Sequence, residues 1–167
     1  MPDEAQLAFD SVVAEYNGLI LRIASSYEAN AALREDLAQD ILLAIWRALP
    51  SFKGEAKLKT FITSIAQKRA ISHSAKYARQ KFHGEPSVDL VDEAKLPDEV
   101  AVEVDERQRL LNAVRSLNAA QREPVTLMLE GMNFTEIGEV LGISANAATL
   151  RCQRAKAALY EVLNAAR

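Results

Sequence analysis

Residues 134–151 constrain the fold more than any other segment, because they combine two short helical patterns with a tight turn between them. The apolar face of the first helix is made by Ile137, Val140 and Leu141. Gly142 can take the positive φ that ends a helix, and Ser144 can cap the next helix through its hydroxyl. The spacing predicts a helix-turn-helix, a motif whose second helix can enter the major groove of DNA.

The remainder of the chain also has a helical pattern. Glycine and proline are scarce, and apolar residues recur at three- and four-residue steps, which predicts an all-α protein. Helices are expected at about 6–26, 32–49 and 56–77, and again from about Glu106 onward. Pro124 is expected in the first turn of a helix, where its missing N–H costs nothing.

An acidic segment with glycine and proline, residues 83–105, interrupts this pattern. Its composition predicts a flexible linker. The chain is therefore expected to contain two small helical domains, residues 1–82 and residues 106–167.

Charge is distributed unevenly along the chain. The net charge of −3 counts against a generic nucleic-acid binder, yet residues 56–82 hold seven basic side chains and no acidic one. A local basic field can bind phosphates, and Tyr77 could stack on an unpaired base. We call these seven residues the basic tract: Lys57, Lys59, Lys68, Arg69, Lys76, Arg79 and Lys81.

Several features that the sequence lacks exclude some classes of protein. There is no apolar run of about 18 residues, so no membrane insertion is expected, and the first residues do not resemble a signal peptide. The single cysteine, Cys152, cannot form an intrachain disulfide. These features predict a cytoplasmic protein. No residues converge as metal ligands or as an acid–base pair, so we expect no metal, no cofactor and no enzyme.

Two segments resemble bacterial RNA polymerase sigma factors of the extracytoplasmic-function (ECF) family. Residues 34–47, followed by 52–54 and 60–69, resemble the second conserved region of that family. Residues 117–125 and the chain that continues to 154–159 resemble the fourth. The resemblance implies a factor that binds core RNA polymerase, directs it to promoters and helps melt the DNA. An anti-sigma factor usually holds such a protein inactive until a signal, often a stress, arrives.

The resemblance also implies three functional surfaces. A polymerase-binding surface would dock on the clamp of the β′ subunit and comprises Asp36, Gln39, Asp40, Leu43 and Trp46. The basic tract, with Tyr77, would bind the downstream promoter element. The C-terminal domain would contact the β flap, and its recognition helix would read the upstream element through Ser144, Asn146, Ala147, Thr149, Leu150, Arg151, Gln153 and Arg154.

The chain departs from the family pattern at positions that bear on DNA recognition. The family usually has Trp, Asn and Asp where Phe61, Lys68 and Ser72 stand. It commonly has a basic residue at Thr149 and Ser at Leu150. These departures leave open a sigma-like decoy or adaptor that binds a regulator and no promoter. A simple DNA-binding repressor would leave the polymerase-binding surface unexplained.

Overall fold

The computed structural model describes residues 3–81 and 98–165, and the side chains of residues 3–78 and 101–165. Throughout these ranges the chain is all-α, which confirms the predicted fold class. A short 3-10 turn, Leu49–Ser51, follows the second helix. The helices are α1 (Glu4–Tyr27), α2 (Ala31–Ala48), α3 (Leu58–Lys81), α4 (Asp98–Ser116), α5 (Ala119–Leu129), α6 (Phe134–Leu141) and α7 (Ala145–Ala165).

The N-terminal domain is a three-helix unit formed by α1, α2 and α3. Its largest fully buried side chains are Ile20, Ile23, Leu37, Ile41, Ile45 and Ile62. Each buried side chain of this size stabilises the fold by about 1.5–3 kcal/mol. The Asn30 side chain accepts a hydrogen bond from the backbone N–H of Leu33 at 3.0 Å and so fixes the start of α2. Leu37, Ile41 and Ile45 form the buried face of α2.

The C-terminal domain is built from α4 to α7 around two clusters. Val114, Leu117, Val125 and Ala155 belong to the first cluster. Leu127, Ile137, Ala148 and Cys152 belong to the second, which lies under the helix-turn-helix. Cys152 is buried there as a small apolar side chain, and burial raises the pKa of its thiol.

Two helix starts in this domain differ from expectation. α5 begins at Ala119, because Asn118 accepts from the backbone N–H of Gln121 at 3.0 Å. Pro124 consequently lies inside the helix, and the prediction that it occupies the first turn is wrong. α4 begins at Asp98, eight residues before the expected resumption at Glu106. Residues 83–97 of the predicted linker lie outside the described ranges.

The two domains pack against each other. α3 lies against α6, and α1 lies against α4. No helix within the described ranges is both long enough and apolar enough to cross a membrane. This packing bears on function, because it leaves the predicted DNA-contacting residues of the two domains exposed to solvent to different degrees.

Candidate nucleic-acid interface

The predicted helix-turn-helix is confirmed and consists of α6, a turn and the start of α7. Gly142 ends α6 with φ 70°, in the left-handed region that favours glycine. The hydroxyl of Ser144 then accepts a hydrogen bond from the backbone N–H of Ala147 at 3.1 Å. At the start of α6, Asn133 accepts from the backbone N–H of Glu136 at 2.9 Å. Both helix starts are therefore fixed by side-chain caps.

Gly138 allows the two helices of the motif to approach closely. A Cβ atom built at this position would lie 2.7 Å from the backbone oxygen of Ile143. In the structure, the N–H of Ile143 donates to the carbonyl of Gly138 at 2.9 Å. The absence of a side chain at Gly138 thus sets the position of the turn and the angle at which α7 leaves it.

One face of α7 is open to solvent and carries most of the predicted recognition residues. Ala148 and Cys152 anchor the opposite face in the core. The exposed members of the predicted set are Ser144, Asn146, Leu150, Arg151, Gln153 and Arg154, whereas Ala147 and Thr149 are half-buried. Asn, Gln and Arg are side chains that can hydrogen-bond to base edges, and Arg also binds phosphate.

Two of the predicted recognition residues make hydrogen bonds to the backbone at the start of α7. The Ser144 hydroxyl is the cap of α7. The Thr149 hydroxyl donates to the carbonyl of Ala145 at 2.9 Å, one turn back along the same helix. Each hydroxyl has therefore one of its hydrogen-bonding sites engaged, and the remaining polar side chains of this face are better placed to contact bases.

The basic tract lies along α3 and divides into two parts. Lys68, Arg69 and Lys76 are exposed. Lys57, just before α3, is also exposed, with Nζ 3.5 Å from Glu136 Oε1, whereas Lys59 in the first turn of α3 lies against the C-terminal domain. Lys59 is half-buried and donates through Nζ to the backbone oxygen of Glu130 at 2.9 Å. Arg79 and Lys81 belong to α3, but their side chains lie outside the described ranges.

Tyr77 is half-buried at the far end of the tract. Its ring lies 4.5 Å from the ring of His73, centroid to centroid, and Lys76 Nζ is 5.7 Å from its centre. His73 in turn pairs with Glu28 through Nε2 and Oε2 at 2.7 Å. Tyr77 is therefore held by neighbours on one side and accessible on the other.

The predicted polymerase-binding surface is exposed on α2. Asp36, Gln39 and Asp40 are open to solvent. Leu43 is 46% exposed and Trp46 36%, although Trp46 also packs edge-on against Phe9 with ring centroids 5.1 Å apart. Trp46 is thus not a core residue. Exposed apolar side chains beside acidic ones are typical of a surface that binds another protein.

The structure brings the polymerase-binding surface and the basic tract together in one cleft between α2 and α3. Arg69 Nη1 lies 3.8 Å from Asp40 Oδ2. The cleft has a volume of about 370 Å³ and is lined by Asp36, Leu37, Asp40, Arg69, Ser72, His73, Lys76 and Tyr77. A molecule bound at one surface would therefore lie beside a molecule bound at the other.

A polar seam between the domains was not predicted from the sequence. Buried Gln67 on α3 donates to the Tyr27 hydroxyl at 2.8 Å and to the backbone oxygen of Glu123 at 3.2 Å. The Arg122 guanidinium lies 5.3 Å from the centre of the Tyr27 ring and donates to the Ser74 hydroxyl at 3.3 Å. Burial raises the pKa of Tyr27 and lowers that of Arg122. Polar helical residues ordinarily indicate a solvated face, so no sequence signal identified this seam.

Comparison with known proteins agrees with this geometry. Residues 12–80 match the family Sigma-70 region 2, and residues 107–159 match Sigma-70, region 4. The chain is 30% identical over 168 residues to the RNA polymerase sigma factor CarQ of Myxococcus xanthus, covering 96% of this chain and 92% of CarQ. It is 30% identical over 150 residues to the ECF RNA polymerase sigma factor SigK of a Mycobacterium species, covering 86% of this chain and 73% of SigK.

A solved structure extends the likeness to the fold. The sigma factor RpoE from Bartonella quintana, in complex with the anti-sigma factor NepR, superposes with a TM-score of 0.72 at 22% identity. The match covers 96% of this chain and 99% of RpoE. These proteins define a class of transcription initiation factors. The chain belongs to the ECF family of RNA polymerase sigma factors. As a sigma factor it acts with core RNA polymerase at promoter DNA and is not an enzyme.

Proposed function

We propose that the chain selects promoters through the three surfaces described above. The exposed face of α7 reads the upstream element. The basic tract and Tyr77 bind the downstream element, and the α2 surface around Asp36 and Trp46 docks on the polymerase clamp. The observation that carries this proposal is the open face of α7, whose polar and basic side chains project from a helix anchored by Ala148 and Cys152.

The electrostatics support a DNA role for both basic surfaces. Arg151 and Arg154 make no ion pair with any described residue, so their charges are available to phosphates. Along α3, Lys68 and Lys76 are likewise exposed. Tyr77 beside them supplies a ring for an unstacked base. This combination suits a protein that holds a melted strand.

A gel-filtration experiment with purified bacterial core polymerase tests the proposal. We expect the chain to co-elute with the polymerase and the resulting complex to support run-off transcription from a promoter it selects. Failure of folded protein to co-elute contradicts the proposal. Co-elution without transcription from any promoter of a genomic library favours the alternative function below.

The alternative is a sigma-like adaptor that binds a regulator and no promoter. Leu150 favours it, because this side chain is 47% exposed at the centre of the recognition face and suits contact with protein. Leu150 equally suits contact with a thymine methyl group. Promoter-specific run-off transcription would eliminate the adaptor function.

Control by an anti-sigma factor completes the proposed function. RpoE, whose fold this chain shares, was solved in complex with an anti-sigma factor. The proposed location is the cytoplasm, at the nucleoid when bound to polymerase and near the membrane when such a partner is anchored there. Affinity capture from the source cells, with a membrane fraction analysed separately, tests both points.

A further inference from the structure

A histidine–glutamate pair ties the second half of α3 to the turn between α1 and α2. His73 Nε2 lies 2.7 Å from Glu28 Oε2. Because an ionised carboxylate only accepts hydrogen bonds, the imidazole N–H is the donor. The side chain of His73 is 10% exposed and that of Glu28 is 13% exposed. Water therefore competes little for this contact, which an exposed pair could not maintain as well.

The Glu28 carboxylate is fixed on its other side as well. Its second oxygen, Oε1, accepts a hydrogen bond from the backbone N–H of Asn30 at 2.9 Å. Asn30 is the residue that caps α2. Since both carboxylate oxygens are engaged, the side chain cannot rotate without losing a hydrogen bond. The His73 ring is thereby held in a fixed position relative to the start of α2.

The ring of Tyr77 packs against this fixed imidazole. His73 and Tyr77 are four residues apart on α3 and so lie on the same side of the helix. Their ring centroids are 4.5 Å apart and the planes are inclined by 41°, a favourable arrangement for two aromatic rings. Tyr77 also lines the cleft between α2 and α3 together with Arg69 and Lys76, two exposed cations that can hold phosphates.

We infer that Glu28, acting through His73, is a positioning residue for Tyr77. It holds the tyrosine ring in the orientation in which an unstacked base of the downstream element can stack on it. The inference rests on the proposed function, which takes Tyr77 to stack on such a base. A side chain that is already held in its bound orientation loses less freedom on binding, and for one side chain this improves affinity by about two- to tenfold.

The test removes the Glu28 carboxylate and leaves the whole basic tract in place. The variant is Glu28→Ala, and the matched control is Glu35→Ala, which removes an exposed carboxylate of α2 that pairs with no described cation. Loss of one negative charge should by itself tighten DNA binding in both. Glu28→Gln is the conservative variant, because its amide oxygen can still accept from the imidazole. Melting curves identify any variant that is not folded.

Two measurements are made on each full-length protein. Fluorescence anisotropy gives the affinity for a short labelled single strand. The same strand with aminopurine in place of its adenines reports stacking, because the emission of this base falls when it stacks on an aromatic ring. We expect Glu28→Ala to bind about threefold more weakly than Glu35→Ala and to leave the aminopurine brighter at saturation. Glu28→Gln should behave like the unmodified protein in both measurements.

A second set of variants tests whether Glu28 acts through Tyr77. Tyr77→Ala should weaken strand binding by about fivefold or more and abolish the quenching by this ring, because base stacking is lost. Adding Glu28→Ala to Tyr77→Ala should then cause no further loss compared with adding Glu35→Ala. Such non-additivity is expected when one residue acts only through another.

The outcomes separate this inference from the proposed DNA role of Tyr77. If Tyr77→Ala weakens binding but Glu28→Ala behaves like its control, the positioning role is overturned and the DNA role stands. If Glu28→Ala weakens binding equally with and without Tyr77, the carboxylate does not act through the ring, and the inference is again overturned. If Tyr77→Ala changes neither affinity nor quenching, both are overturned. A loss that requires Tyr77, and that Glu28→Gln avoids, supports the inference.

Discussion

The two predicted DNA-contacting surfaces are built alike but differ in accessibility. The recognition face of α7 is anchored from behind by Ala148 and Cys152 and is open to solvent. Among the described side chains of the basic tract, Lys59 is the one that the C-terminal domain covers, whereas Lys57, Lys68, Arg69 and Lys76 are exposed. A basic helix is therefore not by itself an available binding site. Its neighbours decide which of its charges can reach DNA.

The largest expected effect comes from Gly138→Ala, which should disable the α7 surface and leave α3 intact. The new Cβ would lie 2.7 Å from the Ile143 backbone oxygen, and such overpacking costs about 1–3 kcal/mol. We expect a lower melting temperature and loss of upstream-element binding by more than about tenfold, because α7 must shift. Calorimetry and binding to separate upstream and downstream DNA probes measure these effects.

Gly18→Ala is the matched control for that change. Gly18 lies within α1, and a Cβ there would lie 3.0 Å from Nη1 of Arg22, so the guanidinium bound to Glu130 must shift slightly. Because alanine is the better helix former by about 1 kcal/mol, that gain offsets the shift, and this variant should be at least as stable as the parent. Equal destabilisation by the two substitutions would show that the approach of α6 and α7 does not depend on Gly138.

The second-largest expected effect comes from removing two positive charges from the exposed face of α7. Arg151→Ala with Arg154→Ala should weaken upstream-element binding by the polymerase complex about tenfold or more, because two phosphate or base contacts are lost. The slope of log affinity against log salt should fall by about 0.9 for each phosphate contact removed. Arg107→Ala with Arg109→Ala, two exposed arginines of α4, controls for net charge. An unchanged slope argues against phosphate contact by α7.

The third expected effect, of intermediate size, is on the affinity of the polymerase-binding surface for core polymerase. Asp36→Arg reverses an exposed charge on α2, and we expect core polymerase to bind about tenfold more weakly. Glu35→Arg makes the same change one residue earlier, on another side of the helix, and should have little effect. Circular dichroism should show both variants fully helical. Normal binding by Asp36→Arg would remove this face of α2 from the interface.

Much of this organisation could be predicted from the sequence, because it depends on local signals. The turn at Gly142, the cap at Ser144 and the buried face through Ile41 and Ile45 all follow from residue type and spacing. The start of α4 was missed, since Val102 and Val104 are exposed and give no apolar stripe. The roles proposed for the three surfaces remain predictions.

The contacts between the domains had no local signal at all. Gln67, Arg122 and Glu130 are polar residues, and their partners in the other domain lie between 48 and 108 positions away in the chain. Arg122 lies on α5 and Glu130 caps its end, and they meet these partners only because the two domains pack together. Patterns along one helix report which face is apolar, whereas pairing between polar faces depends on how two domains meet.

The smallest expected effect compares two lysines of the same tract. Lys59→Gln should not change single-strand binding by the free protein, because the ammonium is held by the Glu130 carbonyl. Lys68→Gln removes an exposed charge and should reduce the salt slope by about 0.7. In the polymerase complex, where both lysines are proposed to contact DNA, the two variants should lose similar affinity. Anisotropy titrations at several salt concentrations measure the slopes. Equal slopes for the two free variants would mean that Lys59 reaches DNA with the domains closed, and the difference between the covered and open parts of α3 would then have no effect on binding.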